Sequence, residues 1–170
     1  FSSRRRHTRF RNVTGVQTCA LPISSRRSVV KPLLPVTINP GGVRYAPGVR
    51  AGSWIFATGH KGTADFVSGM APDVLEAHAP RHGLPKYKKE ARHIFANFDK
   101  VLKAGGSRRD HVVRVDQYYT AGHVVPAYHD MRREFFGGHV PPSTSNLHQK
   151  FLCAGQDMEV QRSEEHTSEL

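Results

Sequence analysis

Titratable and nucleophilic side chains are unevenly supplied in this 170-residue chain, with eleven histidines against two cysteines. Imidazole changes charge near neutral pH, so His60, which follows Gly59, and His129 could each move a proton under ordinary conditions. Both are read first as surface histidines. His78 and His82 stand four apart, a spacing that can put two metal ligands on one helix face, but Pro80 between them breaks such a face. No metal site is expected. Cys153 has no nucleophile signature around it and reads as inert. Arg108-Arg109 reads as a solvated charge pair in a loop.

The elements that must position any site are organised around residues 87–119. Tyr87, Ala91, Ile94, Phe95, Phe98, Val101 and Leu102 trace one stripe of a helix with about 3.6 residues per turn. Lys88, Lys89, Arg92, Asp99, Lys100 and Lys103 fall off that stripe and are expected in water. Gly105-Gly106 supplies the left-handed residue that ends such a helix. Residues 110–119 then read as a β-rich strand with Val113, Val115 and Tyr119 on one face. The pair is a helix laid on a sheet.

The two termini differ from this middle. Arg162-Ser-Glu-Glu-His-Thr-Ser-Glu-Leu170 can be encoded by AGATCGGAAGAGCACACGTCTGAACTC. The reverse complement of that string, in another frame, encodes Val16-Gln-Thr-Cys-Ala-Leu-Pro-Ile23. Two ends of a natural protein have no reason to be reverse complements, and the string looks like a translated sequencing-library adapter. Residues 1–25 and 162–170 are therefore expected to be adapter-derived, the first of them disordered, and to flank a domain at 26–161 cut short in its final strand. The Arg4-Arg5-Arg6 start would otherwise imitate a targeting peptide.

Setting the ends aside changes the charge. Of 25 Lys+Arg, seven lie in residues 1–27 and one is Arg162, leaving 17; of 14 Asp+Glu, Glu164, Glu165 and Glu169 go, leaving 11. The remaining charge, 17 minus 11, is +6 instead of +11 and is not diagnostic of nucleic acid. Cys153 then has no partner for an internal disulfide, which agrees with a reducing cytoplasm. No segment approaches the roughly 20 apolar residues of a membrane span.

Along the chain, residues 35–42 form a loop-rich entry with one short strand. Residues 43–58 read as a hairpin turning at Arg50-Ala-Gly-Ser53, with Trp54-Ile-Phe-Ala-Thr58 as its buried strand. From His60 to Pro85 a Gly-, Pro- and Ala-rich loop is expected, with at most a helical turn at 74–79. Val125-Pro126 opens a second helix striped by Tyr128, Met131 and Phe135 and ended by Gly137-Gly138. Residues 145–149 and 157–161 read as strands.

This order, with its local sequences, resembles the RidA (YjgF-type) family of reactive-intermediate deaminases. The resemblance is carried by residues 45–60, by Asn97-Phe-Asp-Lys-Val-Leu-Lys-Ala-Gly-Gly106, and by 112–120, 128–136 and 158–160 in that order. It implies an α+β fold of the RidA/chorismate-mutase-like type, a mixed sheet with two helices packed on one face. It further implies a cytoplasmic homotrimer with small-molecule clefts between subunits, hydrolysing enamines and imines to a keto acid and ammonia without metal or organic cofactor. A sheet covered on one side only leaves a face for such assembly. Membrane and nucleic-acid partners are not expected.

Residue by residue, the family's water-positioning carboxylate corresponds to Glu159, which as a bare strand residue would face solvent. Its cleft tyrosine corresponds to Tyr45, alternatively a half-buried structural tyrosine. Gly59 falls where family members bring backbone close to substrate, and otherwise merely ends a strand. His129 falls where a small polar side chain lies near the cleft. The family's carboxylate-binding arginine corresponds to Ser143, and a neutral hydroxyl cannot act as a charged fork. An altered substrate is expected on that basis, with Ser143 either a turn residue or a ligand contact. The alternative readings are a non-catalytic ligand-binding or regulatory trimer and, with no aromatic-basic stripe to support it, an RNA-binding or endoribonuclease-type protein.

Overall fold

The structure, a computed structural model, describes residues 29–39, 41–65, 68–75 and 85–165. The expected adapter-derived stretch 1–25, the final residues 166–170, and His78 and His82 lie outside those ranges. Among the described residues ten strands run in chain order: β1 Val30–Leu33, β2 Val36–Ile38, β3 Val43–Tyr45, β4 Gly48–Ala51, β5 Trp54–Lys61, β6 Thr63–Asp65, β7 Gly69–Met70, β8 Val112–Tyr119, β9 Ser143–Leu147 and β10 Met158–Glu165. The helices are α1 Pro72–Leu75, α2 Lys86–Gly105 and α3 Val125–Phe136.

Six strands form one mixed sheet in the order β1-β4-β5-β10-β8-β9, in which only the β8–β9 pairing is parallel. The fold is α+β, with α2 and α3 on a single face. Ala91, Ile94, Phe95, Phe98, Val101 and Leu102 of α2 are each at most 3% exposed and meet Ile55, Ala57, Val115, Tyr119, Met158 and Val160 of the sheet. Each large side chain buried there contributes about 1.5–3 kcal/mol. Tyr128 of α3 is edge-on to Tyr119 of β8 and stacked on Phe95 of α2, so it ties three elements together. Gly106 ends α2 at φ 76°, and the amides of Gly106 and Ser107 return to the carbonyls of Lys103 and Leu102.

Several expectations are corrected. Val113 faces outward, 40% exposed, and Val112 is buried instead, because a bulge between the pairs Ser163–Arg114 and Glu164–Val112 shifts the alternation. His60 is not a surface residue: β5 runs on to Lys61, and a register shift after Ala57 turns the imidazole inward, 4.5 Å from the Phe98 ring. Lys89, expected in water, is buried at the start of α2. The expected 60–85 loop holds the short β6–β7 pair and α1 as well. Most importantly, the final strand does not stop at Gln161. Residues 162–165, set aside as adapter-derived, continue β10 between β5 and β8, with Arg162 and Glu164 buried.

Glu90 is a buried carboxylate that no periodicity argument singled out. Its Oε1 accepts the amides of Asp157 and Met158 at 3.0 and 3.2 Å, joining α2 to the start of β10. Burial outweighs those hydrogen bonds and raises its pKa to about 7. The folded protein therefore holds a proton that the unfolded chain releases, so stability falls as pH rises from about 4.5 to about 7, by roughly 3 kcal/mol if fully expressed. His60 acts oppositely: burial lowers it to about 3, so stability rises with pH from about 3 to 6.5 and the two effects cancel where their windows overlap. Glu90→Gln removes one arm. Denaturant unfolding should find it within about 1 kcal/mol of the parent at pH 5 and about 2–3 kcal/mol more stable at pH 8. A variant weaker at both pH values would contradict this.

Candidate functional site

The strand shift that buries His60 also shapes a hollow at the end of β5. Thr58 anchors it: its amide and hydroxyl both donate to the Pro47 carbonyl, at 3.0 and 3.1 Å. With its proton engaged there, Thr58 Oγ1 accepts from the Tyr45 hydroxyl at 2.6 Å. Tyr45, Gly59, Lys61, Thr63 and Asn97 line a hollow of about 240 Å³ whose other wall includes Val36.

Glu159, on β10, comes against this hollow through its neighbours. It pairs in register with Lys61, whose Nζ stands 3.7 Å from Oε2. Gln156 Nε2 donates to the same oxygen at 3.4 Å. The other oxygen lies over Gly59 so closely that a β-carbon there would stand 1.9 Å from Oε1. Only glycine leaves room for the carboxylate in this position. Glu159 is thus held on three sides with 19% of its side chain still exposed, a geometry able to orient one water molecule and take its proton.

His129 and Ser143 belong elsewhere. Ser143 opens β9 opposite Val115, whereas Glu159 lies opposite Tyr118, whose β9 partner is Asn146. Two strands and three residues separate Ser143 from Glu159, roughly 14 Å at ordinary sheet spacings. The side chain that joins Ser143 to α3 is Arg132, whose Nη1 donates to Ser143 Oγ at 3.0 Å and whose Nη2 donates to the Pro141 carbonyl. His129, one turn earlier on α3, is held below the usual histidine range, first by burial and then by Arg132 and Arg133, with Asp130 opposing. Tyr45, Gly59 and Glu159 therefore form one group, and His129 and Ser143 another.

Sequence reasoning missed Lys61, Gln156 and Arg132. Nothing local distinguishes Arg132 among the 25 basic residues, since its place is set by β9 folding back beside α3. Among the described residues no three His, Cys, Asp or Glu side chains converge as metal ligands. None of the described helices is long and apolar enough to cross a membrane.

No family model matches the chain. A 2-iminobutanoate/2-iminopropanoate deaminase of Dermatophagoides farinae is 27% identical over 123 residues, covering 70% of this chain and 80% of that protein. Among solved structures, a probable translation initiation inhibitor from Rhodopseudomonas palustris superposes with a TM-score of 0.63 at 21% identity, over 82% of this chain and 100% of that one. Yeast Mmf1 does so at 0.61 and 16% identity, over 82% and 100%. A member of the YjgF/YER057c/UK114 family from Mycobacterium tuberculosis gives 0.54 at 18% identity, over 71% and 86%.

Proposed function

We propose that this chain, which has the RidA (YjgF-type) fold and resembles that family in sequence, is a hydrolytic deaminase of small imines and enamines. The observation that carries the reading is the Glu159 carboxylate, seated over Gly59 and steadied by Lys61 and Gln156 beside the Tyr45 hollow. In this mechanism a water molecule held by Glu159 adds to the imine carbon, forming the C–O bond as its proton passes to the carboxylate. Glu159 returns that proton to nitrogen, giving a carbinolamine; it then takes the hydroxyl proton and passes it to nitrogen as the C–N bond breaks and the C=O bond forms, so ammonia and a carbonyl compound leave. An enamine enters the same route after tautomerising to its imine. No oxidant, reductant or cofactor is consumed.

The site as proposed is completed between copies in a cytoplasmic homotrimer. Supporting that is the separation of the Glu159 group from the Ser143 group within one chain, together with a sheet face that none of the described helices covers. On that face Trp54 and Phe56 stack at 6.2 Å while 37% and 43% exposed. The test is release of ammonia from 2-iminopropanoate generated in situ by an amino-acid oxidase. Purified protein should speed it well beyond the spontaneous rate, and no acceleration at micromolar protein would end the assignment. A protein that binds 2-oxo acids without turnover would instead be the non-catalytic ligand-binding trimer.

A further inference from the structure

The geometry points to Arg132 as the anchor for the substrate carboxylate, a cationic fork supplied from α3 beside the position where Ser143 offers none. This rests on the imine-hydrolase reading for the identity of the ligand, and on the Arg132 environment for the site itself. A guanidinium has five N–H donors in a fixed plane. Arg132 spends one on Ser143 Oγ at 3.0 Å and one on the Pro141 carbonyl; among the described residues no acceptor takes the other three. Nor does any described carboxylate pair with it, whereas Arg133, the next residue, is engaged by Asp130 at 3.0 Å.

Arg132 opens into a hollow of about 220 Å³ lined by His129, Arg133, Phe136 and His139, with no acidic residue in its wall. Two carboxylates lie two residues from Arg132 in sequence, Asp130 and Glu134; Asp130 is held by Lys88 at 2.7 Å and by Arg133, and neither lines the hollow. His139 is fixed to the Val112 carbonyl at 2.7 Å. The hollow is therefore cationic and sized for an acid of a few heavy atoms. Ser143 and Pro141 fix the plane of the guanidinium before a ligand arrives, which lowers the ordering cost of a two-point contact with a carboxylate. Ser143 becomes a positioning residue. Its hydroxyl orients a fork that enters from the neighbouring helix.

Full-length protein would be titrated with sodium pyruvate while the His129 ring is followed by NMR, and turnover of 2-iminopropanoate measured alongside. A carboxylate on Arg132 should raise the titration midpoint of His129. In Arg132→Met, checked for a cooperative unfolding transition, that response should vanish. Its Kd for pyruvate and KM for the imine should rise at least about tenfold, with kcat changing less than about threefold, as loss of a charge-assisted contact predicts. Arg132→Lys should recover only part of the affinity, because a point charge is not a fork. Ser143→Ala should weaken binding by roughly two- to fivefold. A folded Arg132→Met with unchanged Kd and an unchanged His129 response overturns the anchor. The readings also separate: pyruvate binding through Arg132 without imine turnover removes the deaminase and keeps the anchor, and turnover with an unaltered KM in Arg132→Met does the reverse.

Discussion

Arg162→Met should cost about 3–5 kcal/mol of unfolding free energy, a large share of the roughly 5–15 kcal/mol typical of a domain this size. Arg162 and Glu164 each expose 1% of their side chains and pair at 2.7 Å, two residues apart on the helix-facing side of β10. Arg162 also donates to the Phe98 carbonyl at 3.1 Å and lies over the Phe98 ring. Burial nevertheless lowers Arg162 to about 10 and raises Glu164 above the usual carboxylate range, so neither charge is fully compensated. Arg162 Nε has no hydrogen-bond partner among the described residues. Removing the arginine leaves a carboxylate isolated in the core, which is the costly case.

Replacing both members tests a different quantity. Arg162→Met with Glu164→Leu removes two desolvated charges and continues the apolar face begun by Met158 and Val160. The double variant should equal or exceed the parent by about 1–4 kcal/mol. Urea unfolding of the single and double variants decides it, and a single variant within about 1 kcal/mol of the parent would show the pair to be indifferent.

Glu159→Gln should lower kcat for imine hydrolysis by about 10²–10⁴-fold, the usual range for loss of a positioned general base. Glutamine preserves the shape over Gly59 and can still accept from Gln156, but it cannot take a proton from water. Removing the charge also ends the 3.7 Å ion pair between β5 and β10, so a small change in stability is expected beside the kinetic one. The informative split is between parameters. If the carboxylate acts on water, kcat falls and KM stays within a few-fold. An unchanged kcat would make Glu159 a structural strand residue and favour the ligand-binding reading.

Much of this protein is determined by the sequence alone. The stripe from Ala91 to Leu102 could bury only one helix face, and Gly106 could end that helix as few other residues could. Trp54–Thr58 between turns had to be a strand, but it is not the buried strand expected: only Ile55 and Ala57 face the core, while Trp54, Phe56 and Thr58 are exposed. Those are short-range consequences of periodicity and backbone sterics. The family resemblance named Tyr45, Gly59 and Glu159; in the structure Tyr45 and Gly59 line one hollow, and Glu159 lies against Gly59 and Lys61 of its wall.

Tertiary structure decided the rest. Two β-bulges, at Thr58-Gly59 and at Val113, reverse the inward and outward sense of the residues after them, and no local pattern announces either. They bury His60 and Val112 and turn Val113 to solvent. The pairing of Lys61 with Glu159, and of Arg132 with Ser143, joins residues 98 and 11 positions apart. Such contacts depend on strand order and on where β9 returns beside α3. Side-chain type sets what a residue can do; only the register of the sheet sets what stands beside it.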